Sequence, residues 1–161
     1  MKTEELLIAA TLASWERATT RLDKAFSACT DEDLEREIAP GSNRLRYLLG
    51  HLTAVHDRML PLLDLGARAY PHLDIYLDQA DRSFEETVTP AALRQAWSDV
   101  NARLAAGFAT LQAGQWLERH TSVSPEDFAK EPLRNRFSVL LSRTNHAWSH
   151  FGQVAILHLE K

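Results

Sequence analysis

The sequence contains a single cysteine, Cys29, so it offers neither an internal disulfide nor a zinc site built from several thiolates. No apolar run approaches the length of a membrane-spanning helix, and the first residues do not begin a hydrophobic signal segment. Lysine and arginine do not cluster, and the net charge is −4 at pH 7, which disfavours nucleic acid as a partner. We therefore expect a cytoplasmic protein that binds neither a membrane nor nucleic acid.

Strand-like alternation and internal repeats are also missing, and the remaining composition is that of an ordinary folded domain. Of the 161 residues, 45% are hydrophobic and 25% are charged, close to the averages for globular proteins. This length suits one domain with a continuous core, so we expect residues 1–161 to form a single domain.

Apolar residues recur at three- and four-residue spacing in four long segments. The spacing predicts helices over residues 3–28, 43–65, 91–111 and 134–159. Ser42 and Gly66 are the expected caps of the second helix, and Thr89 followed by Pro90 marks the start of the third. Residues 67–88 are expected to form a long connection with at most one short helix. The economical fold for this pattern is all-α, a four-helix bundle.

The strongest candidate for a functional site lies in the last predicted helix. His146 and His150 are four residues apart, which places them about 40° apart on a helical wheel, with Ser149 and Gln153 on the same polar strip. We expect this strip to face the interior of the bundle. Two imidazoles so arranged can share one divalent metal ion, although paired helical histidines are often simply solvated or hydrogen-bonded. A zinc peptidase would need a glutamate directly after the first histidine, where this chain has Ala147.

A bundle can complete such a site with a ligand from a neighbouring helix, and the second predicted helix carries His51 and His56. These two histidines are about 140° apart on the helical wheel, so they cannot both point into one site. The centre of the apolar face lies between them and somewhat nearer His56. Periodicity therefore leaves the choice of a third ligand open and leans slightly towards His56.

Two motifs carry a resemblance to a known family. The segment N-H-A-W-S-H-F-G-Q, residues 145–153, resembles the N-H-x-x-x-H-x-G-Q signature of the DinB/YfiT-like superfamily, and L-L-G-H-L, residues 48–52, is similar to its earlier histidine motif. The resemblance covers essentially the whole chain. It implies a bundle in the up-down-down-up arrangement and a divalent metal ion, zinc or nickel, held by His51, His146 and His150. His56 would then be a buried packing residue, hydrogen-bonded to a neighbouring helix.

The resemblance also implies a range of functions. Some members are transferases or isomerases that use a low-molecular-weight thiol, so a small-molecule thiol or electrophile is the expected substrate, and a homodimer is the expected assembly. The alternatives are a metal-binding or stress-related protein without turnover and a bundle that holds no metal. Gln153 is expected either to orient a ligand or to pack between helices. Arg44 and Arg58 lie near His51 on the helical wheel, where they would either bind a substrate carboxylate or be solvated.

Overall fold

The computed structural model describes residues 2–159, with side chains described as far as residue 157. The long helices are α1 Thr3–Ala28, α3 Leu45–Leu62, α5 Pro90–Phe108 and α8 Arg136–Leu159. Short helices connect them: α2 Asp31–Leu34, α4 Ile75–Asp78, α6 Ala113–Trp116 and α7 Pro125–Lys130, with a 3-10 turn at Pro71–Asp74 leading directly into α4. Within residues 2–159 the extended pairing consists of two isolated bridges, and no strand forms. The all-α prediction is therefore confirmed.

The long helices pack in two pairs, α1 along α8 and α3 along α5. Two buried apolar clusters fill the space between them. One includes Leu22, Leu49 and Trp97, and the other includes Trp15 and Phe108. Fully burying one large apolar side chain contributes about 1.5–3 kcal/mol, so these clusters supply the main stabilisation of the bundle. The up-down-down-up order of the helices stays a prediction. Among the described residues, no helix is both long enough and apolar enough to span a membrane.

The N-terminal cap of α3 differs from the prediction. Arg44, not Ser42, is the residue that precedes the first helical turn. The Ser42 hydroxyl bonds instead to the backbone of Ala39, accepting from its N–H at 2.8 Å and donating to its carbonyl at 2.7 Å. Ser42 therefore stabilises the turn before the helix. Because its hydroxyl is occupied by these two bonds, it does not cap the helix.

The C-terminal end of α3 also lies earlier than predicted. Asp64, with φ 60°, takes the left-handed position that the sequence had assigned to Gly66. The Leu65 N–H bonds to the Leu60 carbonyl at 2.8 Å and the Asp64 N–H to the Pro61 carbonyl at 3.2 Å, the bonding pattern of a Schellman cap. Pro61 lies inside the last turn of α3, two residues before the C-terminal cap Leu63.

The connection after α3 is folded back onto that helix by a buried carboxylate. Asp57 is fully buried and accepts from the backbone N–H groups of Ala69 at 2.8 Å and Tyr70 at 3.1 Å. Arg68 donates to the same carboxylate at 3.1 Å. The long irregular connection predicted for residues 67–88 is therefore present, with helical structure only over residues 71–78, and it is held tightly against α3.

Tyr76, in α4, lies flat against α3 at a position without a side chain. A Cβ added to Gly50 would stand 2.6 Å from the Tyr76 ring, much closer than van der Waals contact allows. Tyr76 is only 1% exposed, and its hydroxyl donates to Glu86 at 2.8 Å. The glycine of the L-L-G-H-L motif therefore creates the space in which the connection docks, next to His51.

We expect Gly50→Ala to destabilise the fold by about 1–3 kcal/mol, because the added methyl group overpacks against the buried Tyr76 ring. Urea unfolding followed by circular dichroism measures this loss. Gly152→Ala is the matched control, since Gly152 is also helical but has open space around its Cβ position. That change should raise stability by about 0.5–1 kcal/mol through helix propensity. A Gly50→Ala protein as stable as the unmodified chain would contradict this account of the docking.

Candidate metal centre

Three histidines from two helices meet at one point in the structure. His51 comes from α3, and His146 and His150 come from successive turns of α8. The Nε2 atom of His146 lies 3.2 Å from Nε2 of His51 and 3.0 Å from Nε2 of His150. One ring nitrogen from each residue lies within 4.8 Å of the others, and all three side chains are half-buried. The structure thus brings together the three histidines that the family resemblance selects.

The opposite ring nitrogens of two of these histidines are held by hydrogen bonds. His51 donates from Nδ1 to the backbone carbonyl of Tyr76 at 3.2 Å, and His150 donates from Nδ1 to Oε1 of Gln153 at 2.7 Å. A donating Nδ1 leaves the Nε2 of a neutral imidazole with a lone pair. Both rings are therefore oriented with a lone pair towards His146. Of the two roles expected for Gln153, orienting a ligand is the one that its contact supports.

Burial keeps the three imidazoles neutral at physiological pH. Desolvation, together with the nearby rings of His150 and His51, lowers the pKa of His146 to about 4. Desolvation also lowers the pKa values of His51 and His150, against the opposing effect of their hydrogen bonds to Tyr76 and Gln153. A neutral imidazole is the form that binds a metal ion, so the site is in its ligand form without any change of protonation.

The chemistry of this donor set fits a divalent cation. His146 Nε2 carries at most one proton, so at most one of its two short contacts can be a hydrogen bond, and at the other two nitrogens face each other without one. An ion between the three nitrogens replaces this repulsion with attraction. Nitrogens bound at about 2.0–2.1 Å to one ion lie about 2.8–3.4 Å apart for bond angles near those of octahedral and tetrahedral sites. The separations at His146 fall within that range.

His56 takes no part in this cluster. It is fully buried, its Nδ1 donates to Oδ1 of Asn101 on α5 at 2.9 Å, and its ring lies between Trp15 and Trp97, with centroid separations of 4.6 and 5.1 Å. This agrees with the predicted packing role and with a hydrogen bond to a neighbouring helix. Its Nε2 is buried with no hydrogen-bond partner among the described residues, and desolvation lowers the pKa of His56 to about 3.

The polar strip on α8 is only partly interior, which corrects the prediction. The imidazoles of His146 and His150 are half-buried, but Ser149 and Gln153 are exposed. Trp148, half-buried, instead donates from its indole N–H to the Ser14 hydroxyl of α1 at 3.0 Å. The strip therefore lies at the edge of the helix packing. A site at such an edge is open to solvent and to a small ligand.

The two arginines considered near His51 are both paired with carboxylates of the protein, Arg44 in a buried position and Arg58 in an exposed one. Arg44 is buried and donates to Asp81 at 2.6 Å and to Glu86 at 2.8 Å. Arg58 donates to Asp74 at 2.9 Å. Their carboxylate partners come from the protein itself, so both arginines fasten the connection after α3.

Two contributors to the site were missed by sequence reasoning. The Tyr76 carbonyl is a backbone atom from a residue 25 positions away from His51, and no side-chain pattern identifies it. Arg143 did have a signal, because it lies about 60° from His146 on the helical wheel, one turn nearer the start of α8.

Comparison with known proteins agrees with the architecture. Residues 14–154 match the family model described as the DinB superfamily. The fold is similar to that of a solved structure described as the conserved protein of locus from Enterococcus faecalis, with a TM-score of 0.64 and 17% sequence identity. That alignment covers 98% of this chain and 95% of the other, and at this identity it supports the fold alone. No protein of curated function matches the chain.

His56 should make stability depend on pH. Its pKa is about 3 in the folded protein and about 6.5 when unfolded, so the unfolded state binds more protons between these values. The contribution of neutral His56 is complete above about pH 6.5 and is lost, by up to about 1.4 kcal/mol per pH unit, as the pH falls towards 3. In His56→Gln, the slope of unfolding free energy against pH should be shallower by that amount. Parallel slopes for the two metal-free proteins in urea unfolding would contradict the assignment.

Proposed function

The chain belongs to the DinB superfamily, and from that premise we propose that it is a metal-dependent enzyme whose single divalent ion is held by His51, His146 and His150. The observation that carries the proposal is the convergence of three neutral imidazoles through Nε2. Hydrogen bonds to Tyr76 and Gln153 already use Nδ1 of two of them. Such partners fix the ring orientation and raise the basicity of a ligand histidine.

The donor set suits zinc or nickel, which both accept imidazole nitrogen. Three protein ligands leave a coordination position open, as catalytic sites do and structural zinc sites do not. When bound, the ion would lower the pKa of a thiol that enters this position, so that the thiolate is available as a nucleophile at neutral pH. We therefore propose a transferase or isomerase that takes a small-molecule thiol and an electrophilic acceptor.

The surroundings of the triad favour a thiol over water as the nucleophile. Among the described side chains, no carboxylate is hydrogen-bonded to the three imidazoles, and the partners of their Nδ1 atoms are a backbone carbonyl and an amide. Hydrolytic sites commonly position a general base beside the attacking water. A thiol is acidic enough to lose its proton without such a base. The chain contributes orientation and partial exclusion of water through its half-buried rings.

Metal content tests the ligand assignment directly. Untagged protein should carry about one zinc or nickel ion per chain in elemental analysis. His51→Ala should weaken metal binding by more than about 100-fold, since losing a ligand costs more than losing one of its hydrogen-bond partners. His56→Ala is the matched control on the same helix. It should retain the metal but lose about 2–4 kcal/mol of stability, because it leaves a cavity between Trp15 and Trp97.

Metal that is retained by His51→Ala and lost by His56→Ala, at equal foldedness, would show the ligand assignment to be wrong. The metal-loaded protein should also accelerate the reaction of a thiol with an electrophile, and His146→Ala should abolish the acceleration. Bound metal without any acceleration across a panel of thiols would favour the metal-binding protein without turnover. Absence of metal from untagged protein that retains its fold would favour the bundle that holds none.

We also propose that the chain forms a homodimer. Large apolar side chains are exposed on the paired helices α1 and α8, among them Leu6, Leu7, Leu141 and Ile156. Contact with a second copy would remove this surface from water. Sedimentation should give a mass near twice 18.2 kDa at micromolar concentration. A species of 18.2 kDa alone would contradict the proposal.

A further inference from the structure

Arg143 is a half-buried cation without a partner. It lies on α8 one turn before His146, and no hydrogen bond or ion pair reaches its guanidinium from the residues that the structure describes. Burying a charge without a partner is costly, so buried arginines are normally paired. Other well-buried arginines in the described part of the chain follow that rule and are paired with carboxylates: Arg44 with Asp81 and Glu86, Arg46 with Glu35 and Glu86, Arg68 with Asp57 and Asp74, and Arg136 with Asp64 and Glu118.

The charge of Arg143 acts on the histidine cluster. It is one of the causes that lower the pKa values of His51 and His146, after desolvation and the effects of neighbouring groups. The attachment point of Arg143 is about 4.5 Å along the α8 axis from that of His146. A small molecule can therefore reach both groups.

Arg143 also lines a groove near the start of α8, together with Ser138 and Ser142. The groove has a volume of about 360 Å³, and Leu62 at the end of α3 forms part of its wall. Arg134 and His120 line it as well, and the remaining lining residues are neutral. The nearest acid to Arg134 is Glu131, at 4.0 Å, and both of these side chains are exposed to solvent. An exposed pair of this kind contributes little, so the groove keeps a positive potential.

We propose that Arg143 binds an anionic group, a carboxylate or a phosphate, of a substrate whose reacting atom lies at the histidine triad. The planar guanidinium donates two parallel hydrogen bonds to either anion, which gives orientation as well as attraction. Arg134 adds positive charge to the same groove. The placement of the substrate's reacting atom at the triad rests on the proposed metal-dependent function, whereas anion binding at Arg143 does not require the metal. The substrate class is therefore an anionic thiol or an anionic electrophile.

Calorimetric titration of the metal-free protein with malonate and with inorganic phosphate tests the anion site and separates the two chemistries. The protein should bind at least one of them, and Arg143→Met should weaken that binding about tenfold or more, because a charge-assisted bidentate contact is lost. Arg143→Lys should restore part of it. Arg17→Met, which removes an exposed arginine from α1, is the matched control for net charge and should bind like the unmodified chain. Equal binding by Arg143→Met, or no binding of either anion by the unmodified chain, would overturn the proposal.

A second experiment tests the connection to the triad. Cobalt-loaded protein should bind 3-mercaptopropionate more tightly than its neutral amide, as followed by the sulfur-to-cobalt absorption band. Arg143→Met should remove this preference while leaving metal content unchanged, and Arg17→Met should keep it. Equal binding of the two thiols by the unmodified chain would refute the coupling. Failure to bind any metal, with an Arg143-dependent anion site intact, would reject the proposed function and leave the anion site standing.

Discussion

Three imidazole Nε2 atoms directed at one point are the constraint around which this structure is built. Neutral rings do not adopt this arrangement on their own, because Nε2 atoms near 3 Å repel one another unless a proton or a cation lies between them. Each ring must be held by something else. The helix backbone holds His146 and His150 at adjacent turns of α8. A docked connection holds His51, which faces them from α3.

That connection is fastened to α3 at several places. Asp57 binds its first residues through backbone N–H groups, Arg44 binds Asp81 near its far end, and the Tyr76 ring fills the space left by Gly50. The result is a carbonyl oxygen placed against His51 Nδ1. A single backbone contact at the site thus depends on buried ion pairs and close packing on both sides of it. This explains why so many buried charges lie in a segment without long regular structure.

Sequence reasoning found the helices and the α8 pair because both follow from local periodicity. It could not choose between His51 and His56 on the same ground. Periodicity measures burial, and His56 is indeed the more buried of the two, at 0% exposure between two tryptophans. A ligand that must meet a substrate lies at the edge of the apolar face, where periodicity gives a weak signal. The motif around His51 supplied the information that the apolar pattern lacked.

Other features lay beyond local patterns for different reasons. The left-handed residue that ends α3 is Asp64 rather than Gly66, although glycine is the residue that this conformation favours. Whether an arginine on a polar strip has a partner depends on residues far away in sequence. On the helical wheel, Arg44 lies near His51 and Arg143 lies near His146. Only the fold shows that Arg44 is enclosed by carboxylates and that Arg143, among the described residues, is not.

His51 and His146 are 95 positions apart, so an ion bound to both would cross-link two distant parts of the chain. Closing a loop of about 100 residues removes as much unfolded-state entropy as a long-range disulfide does, about 4–5 kcal/mol in the chain-entropy model. The chain has one cysteine and cannot form an internal disulfide. Its thermal tolerance would then follow the supply of free metal, rising by a constant step for each tenfold increase above the dissociation constant. In a cell that withdraws the metal, the protein would lose stability and the function of the site together.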